Sequence, residues 1–546
     1  MLVLKTESCK NKEGKNYSDL IFSIIILMGI FCLDTWFLLV RGKAYIDSDM
    51  ASNFVAAVFF NSEHTWASKN WYYSTIVGLL ADTNVYQFVL LFCKNNWNTA
   101  RTIGVLIMQG LLVFEMIRFA LRIKINRGMA VLLAAVTISP LSYWLFLMIG
   151  FGAYYIPNAF FALLALNLLF GYIDSENHNK KLIYIASMGI VGVISGINGI
   201  KALVFPYGPL VLTAVLFAYF TFRKNPEEIK NKNANAWKFV VGSIISMISF
   251  GIGFIVNMLV IAKVFVVESH DNMSWAPFNL INVFDGISDC FALLGYQNDE
   301  HLNWLMNGRM SRSVFSLQGI ANLFGIVLIF CLIVSVCRLI GRYEGLSDIN
   351  KLILLLFISS LAVGVVIFKF TEGYTTSPAY WVPLYPIMLI IMAIERNTET
   401  FTFEASKQVV LIMVLVCVLV TSLSTIKLYQ ESPLYANPQL ENVAKWLEDN
   451  GYEKGYATFW QSNAVTYLTD GNIEMWSVYG FDSLELNKWL QKKSHESNPE
   501  GDRIFALIGP NDELDREVFL QYMDTRHGNP EIVYSDDEGY IVVEYK

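Results

Sequence analysis

The sequence predicts a polytopic α-helical membrane protein carrying a soluble α/β domain at its C-terminal end, and three observations carry that prediction. Of 546 residues, 54% are hydrophobic and 16% are charged, against about 25% charged in ordinary soluble domains. Eleven apolar runs read as spans of a bilayer. The charge is also split. Residues 431–546 hold 22 acidic and 9 basic residues, while the preceding 430 hold 25 acidic and 31 basic. A basic membrane part of about 11 helices, 1–430, is therefore expected to precede an acidic soluble domain, 431–546. An acidic exposed domain without a basic stripe excludes nucleic-acid binding as a function class.

The first span is expected at 18–40. It is too long for a signal peptide and lacks a small-residue cleavage site. The tail before it carries Lys5, Lys10, Lys12 and Lys15, which puts the N-terminus in the cytoplasm. Further spans are expected at 99–121, 128–149, 153–173, 182–200, 203–222, 239–263, 317–340, 352–370, 380–394 and 409–426. With these boundaries Arg122, Lys124, Arg127, Lys180, Lys181, Arg223, Lys224, Arg338, Arg342 and Lys351 fall on the cytoplasmic side. The positive-inside pattern then sends two long loops, 41–86 and 263–316, and the C-terminal domain to the outer face. The run Ser195-Gly-Ile-Asn-Gly-Ile-Lys201 interrupts the apolar pattern and predicts a broken or re-entrant helix. In the second outer loop, Leu280, Val283, Phe284, Ile287, Phe291 and Leu294 recur at helical spacing, as in a helix lying in the interface plane.

Beyond 431 the pattern changes. Asn437-Pro438 reads as a helix start, Leu440, Val443, Ala444 and Leu447 line one face, and Gly451 ends it. Short β-like runs follow at 456–459, 473–478, 504–508, 531–534 and 540–544, with helical stretches between several of them. The soluble domain has no cysteine, so no disulfide framework is implied, and the six histidines show no paired metal-ligand spacing.

The chemistry is expected in loop 41–86. It opens Arg41-Gly-Lys-Ala-Tyr-Ile-Asp-Ser-Asp49, so Asp47 and Asp49 lie just beyond a membrane boundary. Carboxylates there are costly unless solvated, paired or used. Two readings stand: a reacting centre, or Ser48 or Asp49 capping a helix that begins near Met50. Two carboxylates at this spacing suit Mg²⁺ or Mn²⁺ but do not specify a metal. Arg41, Lys43, Lys69 and Lys201 are the outer-boundary cations. Lys201 stands beside Gly196 and Gly199, which would admit a phosphate close to the backbone, or it is a snorkelling lysine. Trp66, Trp71, Tyr72 and Tyr73 either stack on a sugar or anchor the loop at the interface. Glu268, His270 and Asp271 are either a second acidic cluster facing Asp47 or part of a solvated loop. Glu115 and Arg118 are expected to pair at helical spacing.

A first span, an outer loop opening on Asp47-Ser-Asp49, interfacial helices, many further spans and an outer C-terminal α/β domain together resemble the GT-C glycosyltransferases. The pattern is most similar to the glycosyltransferase 39, protein O-mannosyltransferase-like and aminoarabinose-transferase-like branch. The resemblance implies transfer of a hexosyl or pentosyl group from a polyprenyl-phosphate donor to an acceptor hydroxyl on an envelope glycan, glycolipid or protein. By that resemblance Asp47 would be the general base of an inverting reaction, and Asp49 would assist it. Substrate contacts would come from Lys201, Lys69, Arg41, Trp71, Tyr73, His270 and Asp271, in a multi-pass protein of a bacterial-type plasma membrane. The chain departs from the family where a basic residue often precedes Tyr-x-x-Pro in a late span: Ala379 precedes Tyr380-Trp-Val-Pro383. A transporter or flippase for a lipid-linked glycan is the competing reading. It predicts internal repeats and charges near mid-span, whereas the acidic residues are expected to avoid span centres. A non-catalytic scaffold would tolerate loss of Asp47 and Asp49, and a glycan polymerase or ligase usually lacks such a C-terminal domain.

Overall fold

In the computed structural model, the described residues are 3–74, 77–152, 154–230, 234–268, 274–275, 277–296, 315–372, 377–398, 404–431, 438–501, 503–510 and 519–546. They divide into two compact units. One comprises Met1–Asp34, Ile107–Asn257 and Asp271–Gln430; the other comprises Thr35–Leu106, Met258–His270 and Glu431–Lys546.

Among the described residues, nine helices are long and apolar enough to cross a membrane, or ten if a bent pair is one span. They match the expected spans in order. The expected straight span at 128–149 is the exception, and it is corrected to Arg127–Ile138 and Tyr143–Phe151 meeting at 90°. The break lies at Ser139-Pro140-Leu141-Ser142. Pro140 has no N–H to continue the ladder, and Ser142 restarts the helix by accepting from the Leu145 N–H at 3.1 Å. The last expected span lies within the Glu404–Glu431 helix, whose described apolar part, Leu415–Tyr429, is shorter than a full crossing.

Within the helical unit, the His178–Ile197 and Asn235–Val256 helices pack backbone to backbone. A Cβ added at Gly196 would sit 2.1 Å from the Phe250 carbonyl oxygen. Gly196 therefore serves close helix packing, not the approach of a phosphate. The expected interruption is real: the first helix ends at Ile197, Gly199 turns the chain with φ +95°, and a new helix runs Gly208–Lys224. The Leu280–Ala292 helix realises the expected amphipathic stretch. Phe278, Leu280, Ile281 and Phe284 are exposed, while Asp289 on its inner side pairs with Lys369 at 2.8 Å.

Acidic residues do not avoid the spans. Asp34, in the first span, is fully buried and accepts from Gln109 Nε2 at 2.9 Å. Glu115 is also buried, and it accepts from Asn167 Nδ2 and pairs with Arg118 at 3.0 Å. The Glu115–Arg118 pair follows the expected spacing; Asp34 corrects the reading that such groups stay at the outer face. Its partners lie in other spans, which local sequence does not display.

The second unit is built around a five-stranded sheet in the order 474–478, 454–458, 504–508, 541–545, 530–535. The first three strands are parallel and the last two antiparallel to their neighbours. The Pro438–Asp449 helix precedes it, and Gly451, at φ +74°, ends that helix as expected. A second, three-stranded sheet joins distant segments: Trp71–Tyr73 pairs in parallel with Val266–Val267 and antiparallel with Gln491–Lys492. Trp71–Tyr73 is thus the central strand, its backbone hydrogen bonds completed on one side by the second loop and on the other by a strand from the C-terminal end.

Candidate functional site

The Asp-Ser-Asp motif stands at a helix start. The helix is Ser48–Ser62, its N-cap is Asp47, and the Met50 N–H donates to Asp47 Oδ1 at 2.8 Å. The Asp47 carbonyl accepts from the Ala51 N–H at 2.9 Å. The expected helix start near Met50 thus moves to Ser48, and the cap is Asp47 in place of Ser48 or Asp49. An extended backbone at Asp47 (φ −110°, ψ 174°) turns its side chain back over the exposed N–H groups. The N-terminal dipole favours an anion there, so capping and a charged, aimed carboxylate are compatible. Asp49 lies in the first turn, and both carboxylates are half-buried. Among the described residues no cluster of three or more His, Cys, Asp or Glu converges as a metal site. Asp47 and Asp49 offer two ligand residues, one already engaged by Met50, which is too few to define an Mg²⁺ or Mn²⁺ site.

Behind the motif the helix is fastened along its length. Asn53 Nδ2 donates to Asp82 Oδ2 at 2.7 Å, and Asn61 Nδ2 to the Gln87 carbonyl at 3.0 Å. Asp82 is buried. Desolvation pushes its carboxyl up to about 6, against the opposing pull of Asn53, two backbone N–H groups and Arg101. Phe54 packs among Tyr86, Trp97 and Tyr467, with ring centroids 5.4 to 5.5 Å apart.

The aromatic segment lies mostly inside this packing. Trp71 is 1% exposed and packs on Phe59 and Phe60 at 5.9 and 6.0 Å. Tyr73 is buried; its hydroxyl donates to the Ser68 carbonyl and accepts the Ser68 N–H, both at 2.9 Å. Neither offers an open ring face, so the expected sugar contacts Trp71 and Tyr73 are corrected to core residues of the loop. Large rings gain more from burial than from exposure, and the sequence alone does not say which face of a short strand is covered. Trp66 is exposed, as are Lys69 and Arg41. His270 and Asp271 lie outside the described residues.

In the helical unit, Lys201 follows the Gly199 turn. Its ammonium lies over the Tyr155 ring, 5.2 Å from the centroid, and over the Tyr380 ring at 5.7 Å. Among the described residues it has no carboxylate partner. A pocket with about 40 Å³ of water-accessible space surrounds it, lined by Asn158, Ser195, Asn198, Phe205, Trp381 and Pro383 among others. Tyr380, Trp381 and Pro383 belong to the late-span Tyr-x-x-Pro stretch whose preceding residue, Ala379, is not basic. Lys201 supplies a cation to that stretch from another segment. Nothing local in the sequence links positions 201 and 380. An ammonium on aromatic faces, in an otherwise apolar pocket with amide side chains, suits an anion.

No family model matches the chain, and no curated protein matches it. Among solved structures, apo ArnT from Cupriavidus metallidurans aligns over 95% of this chain and 97% of its own length, at 13% identity and a TM-score of 0.52. The same protein bound to undecaprenyl phosphate aligns over the same shares at 12% identity and a TM-score of 0.50. The archaeal oligosaccharyltransferase AglB from Archaeoglobus fulgidus aligns over 95% of this chain and 74% of its own, at 11% identity and a TM-score of 0.46, too loose to weigh. At such identities the likeness is one of fold alone: the chain shares the fold of ArnT over nearly its whole length.

Proposed function

We propose that the protein is an integral membrane glycosyltransferase that moves a sugar from a polyprenyl-phosphate donor to an acceptor hydroxyl. Lys201 carries this reading: a cation seated on Tyr155 and Tyr380, with no carboxylate partner among the described residues, in a pocket between membrane helices. A lipid phosphate is an anion that arrives from the bilayer side. The fold likeness to a protein crystallised with undecaprenyl phosphate supports the same carrier chemistry.

In the proposed reaction Asp47 takes the proton of the acceptor hydroxyl. The acceptor oxygen bonds to the anomeric carbon from the face opposite the phosphate, and the bond from that carbon to the phosphate oxygen breaks. The electron pair leaves on polyprenyl phosphate, and the anomeric configuration inverts; Lys201, in the helical unit, is the candidate cation for a lipid phosphate. Asp49 lies in the first turn of the same helix and assists by orienting the acceptor. Lys69 and Arg41, both exposed, attract the anionic donor. No step runs through a metal ion. The membrane assigned by this reading is a bacterial plasma membrane, with the N-terminus cytoplasmic and both the Asp47 loop and the C-terminal domain outside. The acceptor is an envelope glycan, a glycolipid or a protein.

The test is release of polyprenyl phosphate in nanodiscs from a panel of polyprenyl-phosphate sugars, with and without chelator. Wild type releases the carrier and Asp47→Asn does not; equal release by both would remove Asp47 from the chemistry. Loss of activity in chelator would assign Mg²⁺ or Mn²⁺ to Asp47 and Asp49, and persistence would remove the metal from the reaction.

One observation favours a transporter or flippase for a lipid-linked glycan as the second reading: Asp34 and Glu115 are buried within spans, where ionisable groups mark transport paths. Movement of a labelled lipid-linked glycan across proteoliposomes by wild type, lost in Asp34→Asn without any transfer product, would put this reading first.

A further inference from the structure

We propose that the C-terminal segment is a positioning element for Asp47, gripping the Asp-Ser-Asp helix through Asn463 and so aiming the carboxylate. This deepens the transferase reading and rests on Asp47 being its base. The Phe459–Leu468 helix lies against the Ser48–Ser62 helix. Asn463, 411 residues from its partner, donates from Nδ2 to Ser52 Oγ at 2.8 Å and to the Leu490 carbonyl at 2.7 Å. The Ser52 hydroxyl in turn donates to the Ser48 carbonyl, one peptide removed from Asp47. The Ser48 hydroxyl meets the Ala464 N–H at 3.3 Å. A continuous chain of hydrogen bonds thus runs from Leu490 through Asn463 and Ser52 to the backbone of the motif.

Three features separate this arrangement from ordinary packing. Ser48 and Ser52 are both fully buried and one turn apart, so they form the floor of the helix contact, where apolar side chains alone would hold the helices together without fixing their rotation. Leu490, a non-glycine residue, takes a left-handed conformation at φ +53°. Strain of that kind persists only where the surroundings hold it, and here the Leu490 carbonyl is an anchor for Asn463. The next residue, Gln491, enters the strand that pairs with Tyr72, so the same anchor is tied to the loop leading away from the Asp47 helix.

A base must be held to within a fraction of an ångström of its target, and displacements near 1 Å cost about 100-fold. Removing the grip should therefore change turnover more than binding. The experiment compares wild type, Asn463→Leu, Ser52→Ala and Asp47→Asn in nanodiscs, each normalised to folded protein, together with amide hydrogen exchange. Ser52→Ala removes one hydroxyl with almost no volume change and so guards against a folding defect in Asn463→Leu. Both grip variants should lower kcat by about 10- to 100-fold, leave KM for the donor unchanged, and speed exchange at the Met50 and Ala51 amides. A lower melting temperature with wild-type kcat in both would overturn the proposal and leave Asn463 a stability residue. Wild-type turnover in Asp47→Asn would instead remove the base itself, and the positioning role with it; the two failures are distinguished by which variant keeps its rate.

Discussion

Asp47 stands at a helix start with its carboxylate tied to the Met50 N–H at 2.8 Å, whereas Lys201 stands after a glycine turn with its ammonium over two tyrosine rings, 5.2 and 5.7 Å from their centroids. The first contact is a directional, charge-assisted hydrogen bond, which fixes an oxygen in place. The second is an attraction to broad π faces, worth about 0.5–2 kcal/mol and tolerant of angle. A group that takes a proton in one geometry needs the first kind of restraint. A group that meets a mobile lipid phosphate is served by the second. Asp47 also has buried serines behind it, while Lys201 is surrounded by a pocket.

The sharpest way to break this comparison is Asp47→Asn. Asparagine caps a helix about as well as aspartate, so stability should hold while transfer falls about 10²–10⁴-fold. Asp47→Ala should lose activity similarly and also cost about 0.5–2 kcal/mol of stability, read by thermal unfolding. If Asp47→Asn melts early and keeps its rate, the cap was the whole role.

Trp71→Ala tests whether the loop around Asp47 is as rigid as its packing suggests. As a fully buried ring it should cost about 3–5 kcal/mol in unfolding free energy. A rise in KM for the donor at unchanged stability would restore Trp71 as a sugar contact.

Asp82 bears on the same helix through Asn53. Its folded carboxyl sits at about 6 against an ordinary 3.8, so the folded state binds the extra proton. Stability from this group is fully present below 3.8 and is lost as pH rises through about 6, a change of roughly 3 kcal/mol. Denaturant midpoints measured across that window should fall with rising pH in wild type, and Asp82→Asn should flatten the trend. An unchanged slope in the variant would assign the pH dependence to another group.

Lys201→Gln should have the smallest effect, since it removes an electrostatic contact of about 1.5–3 kcal/mol. The expected result is a KM for the donor about 10- to 100-fold higher, with Lys201→Arg recovering most of it because guanidinium also lies well on aromatic faces. A loss confined to kcat would make Lys201 as strictly placed as Asp47 and dissolve the contrast.

Much of the helical architecture was legible in the sequence because a span declares itself within about 20 residues. The same holds for the strands at 504–508 and 541–545 and for the Gly451 stop, where alternation and turn chemistry are local. The Asp47 cap was half legible: a helix start was expected there, displaced by two residues, because any of three polar side chains suits an N-cap. Asp34 was missed. It sits inside an apolar run, and its partner Gln109 lies 75 residues on in another span.

By itself the sequence determined which stretches are apolar and long enough to cross a membrane, where most helices lie to within a few residues, and that the C-terminal end is an acidic, strand-rich domain. These follow from hydrophobic length, periodicity and capping, which act over neighbouring residues. Only the tertiary structure decided that the span after Arg127 bends by 90°, that Trp71 and Tyr73 are buried, that Lys201 meets Tyr380, and that Asn463 meets Ser52. Each of those depends on segments brought together from far along the chain. A buried polar group accepts whichever partner the packing supplies, and the local sequence carries no record of that choice.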